Sequence, residues 1–240
     1  MNCRWKLVSP AIVAILVLGA LVTQSAVASP LTVEGIVEGG TVFTTGDQDG
    51  GTYVFKTSGG TVSCTEASFT GSGAVATGGR VNEQTAFASF PTEKVGGGNN
   101  CTAFGFAGTH IKMNECTATS TTATSLKAGE VTWSGSTQLH LVCPTGKQVE
   151  ITPTAFGASL CTQFVAAQTP TGGHTVGKNV TGSAPMDVTK EVTLTGIHYT
   201  GTGSSCGNSE THSDATLTGS STGRCYSDSA RTKQVGCTFS

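Results

Sequence analysis

Nine cysteines lie along the 240 residues, and the first of them, Cys3, belongs to a segment that does not read as part of a fold. Arg4 and Lys6 form a short positive region, Ala11 to Val22 is apolar but short for a bilayer, and Ala26-Val27-Ala28 supplies a small-x-small cleavage site. Residues 1–28 are therefore expected to be a signal peptide cut after Ala28. Cys3 is not placed as a lipoprotein cysteine would be, and no later run approaches ~18 consecutive apolar residues. The expected mature chain is secreted and extracellular, with no lipid or transmembrane anchor.

Export changes what the remaining cysteines mean. Cys64, Cys101, Cys116, Cys143, Cys161, Cys206, Cys225 and Cys237 are even in number, and outside the cytosol thiols oxidise, so four disulfides are expected. Zinc is the competing use, but it favours close pairs such as C-x-x-C, which the sequence lacks. Cross-links also meet a physical need. With 33 glycines and abundant Thr and Ser, the chain buries little apolar area per residue, and each bridge typically adds ~2–4 kcal/mol.

Charged residues make up only 12% of the chain and hydrophobic ones 37%, too apolar for a disordered chain and too poorly charged for a coiled coil. No window clusters Lys and Arg, which excludes a nucleic-acid partner. The recurring pattern is a short alternating run ended by Gly, Asn or Asp. Thr41 to Thr45 and Thr52 to Thr57 are two such runs, and Gly46 to Gly51 between them reads as a hairpin loop. Similar runs continue to Gln234–Phe239, among them Thr61–Thr70, Thr102–Met113, Val188–Thr200, Ala215–Gly219 and Arg224–Ser227. About a dozen strands without a 3.6-residue period mean an all-β protein, built as one or two small antiparallel β-sandwich-like domains cross-linked by disulfides.

Two internal echoes suggest related halves. Ala67 to Gly73 resembles Ile197 to Gly203, and Lys112 to Thr119 resembles Lys233 to Ser240, whereas Ser63 to Glu66 against Leu160 to Gln163 gives a conflicting offset. With a boundary in the polar stretch Thr119 to Gly129, the domains are 29–122 and 123–240. The repeat suggests pairing Cys101 with Cys116 and Cys225 with Cys237. Cys143 with Cys161 is a third local candidate, which leaves Cys64 with Cys206. Three cysteines then precede the boundary and five follow it, so one bridge must cross.

Asn100-Cys101-Thr102-Ala103-Phe104-Gly105-Phe106 continuing to Cys116, and the run from Gly201 to Ser240 with Cys206, Cys225 and Cys237, resemble uncharacterised secreted proteins of high-GC actinobacteria. The resemblance implies export and a cysteine-linked β-rich body, and it carries no activity or site residues.

Chemical motifs are sparse. G-x-S-x-G occurs at Gly203–Gly207 and at Gly219–Gly223, but a nucleophile elbow needs a strand-to-helix turn in an α/β sheet, so Ser-rich turns or strand ends are the plainer reading. His212 and Asp214 would share a face if extended, with His198 on a neighbouring strand. Such a set could orient a base or hold a metal, or be exposed polar residues. Asp47 and Asp49 resemble the start of a calcium loop, yet the twelfth position is Ser58 rather than Glu, and Asp-Gly also marks turns. Aromatic residues in the runs are expected in the core, while a sugar platform would draw on Tyr53, Trp133 and Tyr199.

No cofactor is expected. The leading expectation is a non-catalytic extracellular or cell-surface-associated binding or structural module with a glycan or protein ligand. The alternatives are a carbohydrate-binding module and a secreted hydrolase.

Overall fold

The computed structural model describes residues 31–105, 107–121, 133–135, 138–180, 182, 185, 187–203, 206 and 210–239. The expected signal peptide, residues 1–28, lies outside these residues. Two long strands form the spine of the fold, β16 (Val188–Thr202) and β17 (Thr211–Tyr226), which pair antiparallel from Val188↔Gly223 to Thr200↔Thr211. In β16, Val188, Lys190, Val192 and Leu194 share one phase of the strand alternation and therefore one face. A register shift between Leu194 and Tyr199 bends the hairpin, as a bulge does, so each long strand serves two sheets.

At the bend, β17 pairs through Thr216–Thr218 with β3 (Tyr53–Thr57), and beyond it β16 pairs through Thr200–Thr202 with β14 (Thr162–Val165). From β3 the pairing runs through β4 (Gly60–Cys64), β7 (Cys101–Ala103), β8 (Ala107–Lys112) and β12 (Val149–Ala155) to β14. Eight antiparallel strands thus close into a ring. Directly paired inward residues fill it, as in the row Leu217–Phe55–Val62–Ala103–Ala107. Tyr53, Phe55 and Tyr199 are buried in this core, the use expected for aromatics in strands.

Before the bend, β17 pairs through Ser221–Tyr226 with β2 (Thr41–Gln48), and β16 pairs with β15 (Gly172–Asn179). This second sheet continues from β2 through β5 (Ser68–Val75), β6 (Val81–Ser89) and β9 (Thr117–Thr121) to β11 (Gln138–Val142), and from β15 to β10 (Trp133–Gly135). Its two ends approach each other. Three peptide units join the Cα atoms of Gly135 and Gln138, which cannot lie more than about 11 Å apart. Leu141 and Gln168 also exchange backbone hydrogen bonds of 2.8 and 2.9 Å. Two short strands, β13 (Ala158–Ser159) on β12 and β18 (Gln234–Val235) on β17, extend these pairings. β1 (Leu31–Val33) and β19 (Cys237–Phe239) pair at the far end and contribute Leu31, Val33, Cys237 and Phe239 to a second, smaller core.

The all-β class and four disulfides are present, but the sheets curl and close rather than facing one another as a sandwich. Bent strands shared between sheets leave few free edges, which alternation along one strand cannot reveal. Pairs of strands from either side of residue 122 occur in both sheets, β8 with β12 and β9 with β11. Gly46–Gly51 does not close a hairpin. β2 and β3 both run antiparallel to β17, one after the other along its edge, so this loop passes the chain from one sheet to the next.

The disulfide pairing corrects the one inferred from the repeat. The bridges are Cys64–Cys101, Cys116–Cys143, Cys161–Cys206 and Cys225–Cys237, so only the last matches. Strand neighbours decide the outcome. Cys64 and Cys101 are directly opposed on β4 and β7, and the β9–β11 pairing beside them draws Cys116 and Cys143 together across the expected boundary. Oxidised cysteines in this number fit a compartment outside the cytosol. Among the described residues, no helix is long and apolar enough to cross a membrane.

Candidate functional site

The second sheet curls around space that its own side chains do not fill. Its inward positions are small along successive rows of paired residues: Cys225–Thr44–Gly71–Ala86–Ala118 is one row, and Val188–Gly223–Gly46–Phe69–Ala88 is the next. Gly71 is obligatory, because a Cβ there would meet the Thr85 carbonyl at 2.7 Å and Thr44 Oγ1 at 2.8 Å. Gly46 is not crowded in this way, its nearest neighbour being Phe69 at 3.5 Å. Rows of Gly, Ala and Thr cannot reach the middle of a curled sheet, and a cavity of about 310 Å³ remains between the two cores. Leu139 and Leu141 of β11, Val192 and Leu194 of β16 and Phe69 of β5 make its lining largely apolar.

The polar side chains at its wall are few. Gln84 donates to Thr44 Oγ1 at 3.0 Å. The Gln168 side chain is tied to the backbone of His198, accepting from its N–H and donating to its carbonyl, each at 2.7 Å. Lys190 lines the cavity and sits directly opposite Ser221, whose hydroxyl is hydrogen-bonded to the Tyr53 phenol. Burial raises the Tyr53 pKa, partly offset by that bond. Burial also pushes the Lys190 ammonium down to about 8 from 10.5. Lys190 retains intermediate accessible surface where it borders the cavity. No Asp, Glu or His side chain is among the described residues that line this space, and none of the ion pairs among the described residues involves Lys190.

Sequence reasoning passed over Lys190, yet a signal was present. A lysine in phase with Val188, Val192 and Leu194 must face the same way they do. Ser221, the central serine of Gly219–Gly223, occupies the interior of β17 rather than a turn, strand end or nucleophile elbow. The companion motif has Ser204, Ser205 and Gly207 outside the described residues.

The residues singled out for chemistry lie elsewhere. His212 stacks on Tyr199, with ring centroids 4.9 Å apart, and Asp214 accepts from the Ser58 N–H at 2.7 Å. Slight burial by itself raises the Asp214 carboxyl. The hydrogen bonds from Ser58 and the nearby His212 outweigh it and hold the carboxyl below its ordinary value. His198 is exposed and lies in the opposite strand phase from Tyr199, so the structure brings together His212 and Asp214 but not His198. Asp47 pairs with Arg224 at 3.7 Å, while the Asp49 carbonyl accepts from Gly51 N–H at 2.7 Å within the connecting turn. Among the described residues, no three His, Cys, Asp or Glu side chains are grouped to hold a metal ion. Tyr53 and Tyr199 are 6% and 2% exposed, so neither belongs to an exposed aromatic platform, and the Trp133 side chain lies outside what is described. Comparison of the chain with protein-family models, curated proteins and solved structures finds no match.

Proposed function

We propose that this chain is an exported, non-catalytic binding protein whose ligand is a small apolar molecule held inside the curled sheet. The observation that carries the reading is the cavity of about 310 Å³, walled by Leu, Val, Ala and Phe side chains. Small-molecule sites are concave, mostly apolar and furnished with a few fixed polar groups, and their usual volume begins near ~300 Å³. Burial of Tyr53 and Tyr199 favours an apolar ligand in the cavity over a glycan laid on exposed rings. The oxidised cross-links suit a carrier that works outside the cell, where disulfides persist.

The test is titration of the folded, leader-free chain with an environment-sensitive apolar dye, followed by competition with small hydrocarbons and alcohols. The expected result is saturable one-to-one binding with displacement by the competitors. A lack of saturable binding, or binding that the competitors leave unchanged, overturns the reading.

A further inference from the structure

We propose that the ligand class is an apolar carboxylic acid, with its chain in the cavity and its carboxylate held by Lys190 beside Ser221 and Tyr53. This inference rests on the cavity being a binding site, and adds which chemical group enters it and where that group sits.

The first support is charge. Lys190 is the cavity-lining lysine, and the wall as described contains no carboxylate to neutralise it. Neither position paired with Lys190 carries a charged side chain. Across β17 stands Ser221, and across β15 stands Gly177, which has no side chain. Gln48 of β2 is the next residue in that row. The remaining cation in the lining, Arg224, is already satisfied by Asp187 at 3.4 Å and Asp47 at 3.7 Å. A buried charge is normally paired, and an unpaired one is expensive. Burial indeed weakens the lysine's hold on its proton. A ligand that brings an anion supplies the missing partner.

The second support is hydrogen-bonding capacity. A carboxylate wants more than one donor. Ser221 is directly opposite Lys190, and directly paired side chains on antiparallel strands have Cβ atoms only ~4.5–5.5 Å apart. The Tyr53 phenol is bonded to Ser221, which orients that hydroxyl. An ammonium and a hydroxyl at this spacing can donate to the two oxygens of one carboxylate.

The third support is size and polarity. A dry cavity of ~150 Å³ accommodates benzene, with six heavy atoms. A volume of about 310 Å³ therefore suits roughly a dozen heavy atoms, which matches a medium-chain acid such as decanoate. Beyond the polar row, Val192, Leu194, Phe69 and Leu141 offer nothing but hydrocarbon contact.

The experiment is calorimetric titration of the leader-free chain and of Lys190→Met with decanoate and with 1-decanol, at pH 6.5 and pH 9.5. Decanoate is ionised at both values, whereas Lys190 is charged only at the lower one. Among the groups at the wall, Tyr53 stays neutral across this range because burial raises its pKa, and Arg224 stays charged. The expected result is decanoate binding at least tenfold tighter at pH 6.5 than at pH 9.5. Decanol affinity is expected to be the same at both, and Lys190→Met to lose the preference for the acid while still binding decanol. Lys190→Met removes a buried charge and should fold, which near-ultraviolet circular dichroism checks. Equal, pH-independent binding of acid and alcohol overturns the role of Lys190 and leaves the apolar cavity standing. Failure of both ligands overturns the cavity reading itself.

Discussion

The ring of Tyr53 lies directly over Gly219, filling the space that a β-carbon on that strand position would occupy. Gly219 belongs to the inward phase of β17, between Leu217 and Ser221, so the contact holds Tyr53 in the wall shared by the ring core and the cavity. Gly219→Ala must displace a ring that is 6% exposed, and overpacking of this kind costs about 1–3 kcal/mol. Gly46→Ala is the contrasting case. Its Cβ would meet Phe69 at an ordinary 3.5 Å, and Ala is better than Gly within a strand by roughly 0.5–1 kcal/mol. Urea unfolding should therefore show the first variant destabilised and the second unchanged or slightly stabilised.

The four disulfides join neighbouring cysteines in sequence order, so no loop encloses another. Their sequence separations are 37, 27, 45 and 12 residues. Chain entropy gives the 45-residue loop about 4 kcal/mol and the 12-residue loop about 3 kcal/mol. Replacing Cys161 and Cys206 together by Ala should lower the urea midpoint more than replacing Cys225 and Cys237, by about 1 kcal/mol in unfolding free energy. Peptide mapping without reductant should recover the four sequential pairs and no linkage of Cys101 with Cys116.

The strand content was readable from alternation in Thr41–Thr45, Thr52–Thr57 and Val188–Thr200. Its arrangement was not. Ala215–Gly219 and Arg224–Ser227 read as two strands because Ser220 to Gly223 carry no apolar residue, yet they belong to one 16-residue strand held on both edges by β16 and β2. Conversely, Thr61–Thr70 reads as one run but divides at Thr65–Ala67 to serve β4 in the ring and β5 in the second sheet. Pairing between sheets depends on contacts far apart in sequence, to which local periodicity is blind. The repeat misled the disulfide map for the same reason. Similar words around Cys116 and Cys237 say nothing about which strand lies beside each. The cavity escaped notice because it is made by what is missing at Gly46, Ala86, Ala88 and Ala118 across three strands, and only their register reveals that these positions adjoin.

Filling that space gives a prediction separate from any charge. Ala86 and Ala118 are directly paired and both line the cavity. Ala86→Leu adds three carbon atoms at the cavity wall, and each buried methylene contributes about 0.8 kcal/mol. The variant should unfold at an equal or higher urea concentration than the parent while its affinity for an apolar dye falls at least tenfold. A lower midpoint with unchanged dye binding would mean that the side chain points into packed protein.

Lys190 makes stability depend on pH in an unusual sense. Its folded pKa of about 8 lies below the 10.5 of a free lysine, so between these values the unfolded chain binds more protons than the folded one. Unfolding free energy then rises with pH across that window, and the penalty is present in full below pH 8. The difference corresponds to about 3 kcal/mol. Lys190→Met should consequently raise stability at pH 7 and abolish this lysine's contribution to the rise between pH 8 and pH 10.5. Urea unfolding of both proteins at pH 7, 9 and 10 measures the effect. The parent and variant curves should converge as pH increases, because deprotonation of the amine and removal of the amine relieve the same buried charge. Curves that stay parallel would place the Lys190 ammonium in water instead of in the wall of the cavity.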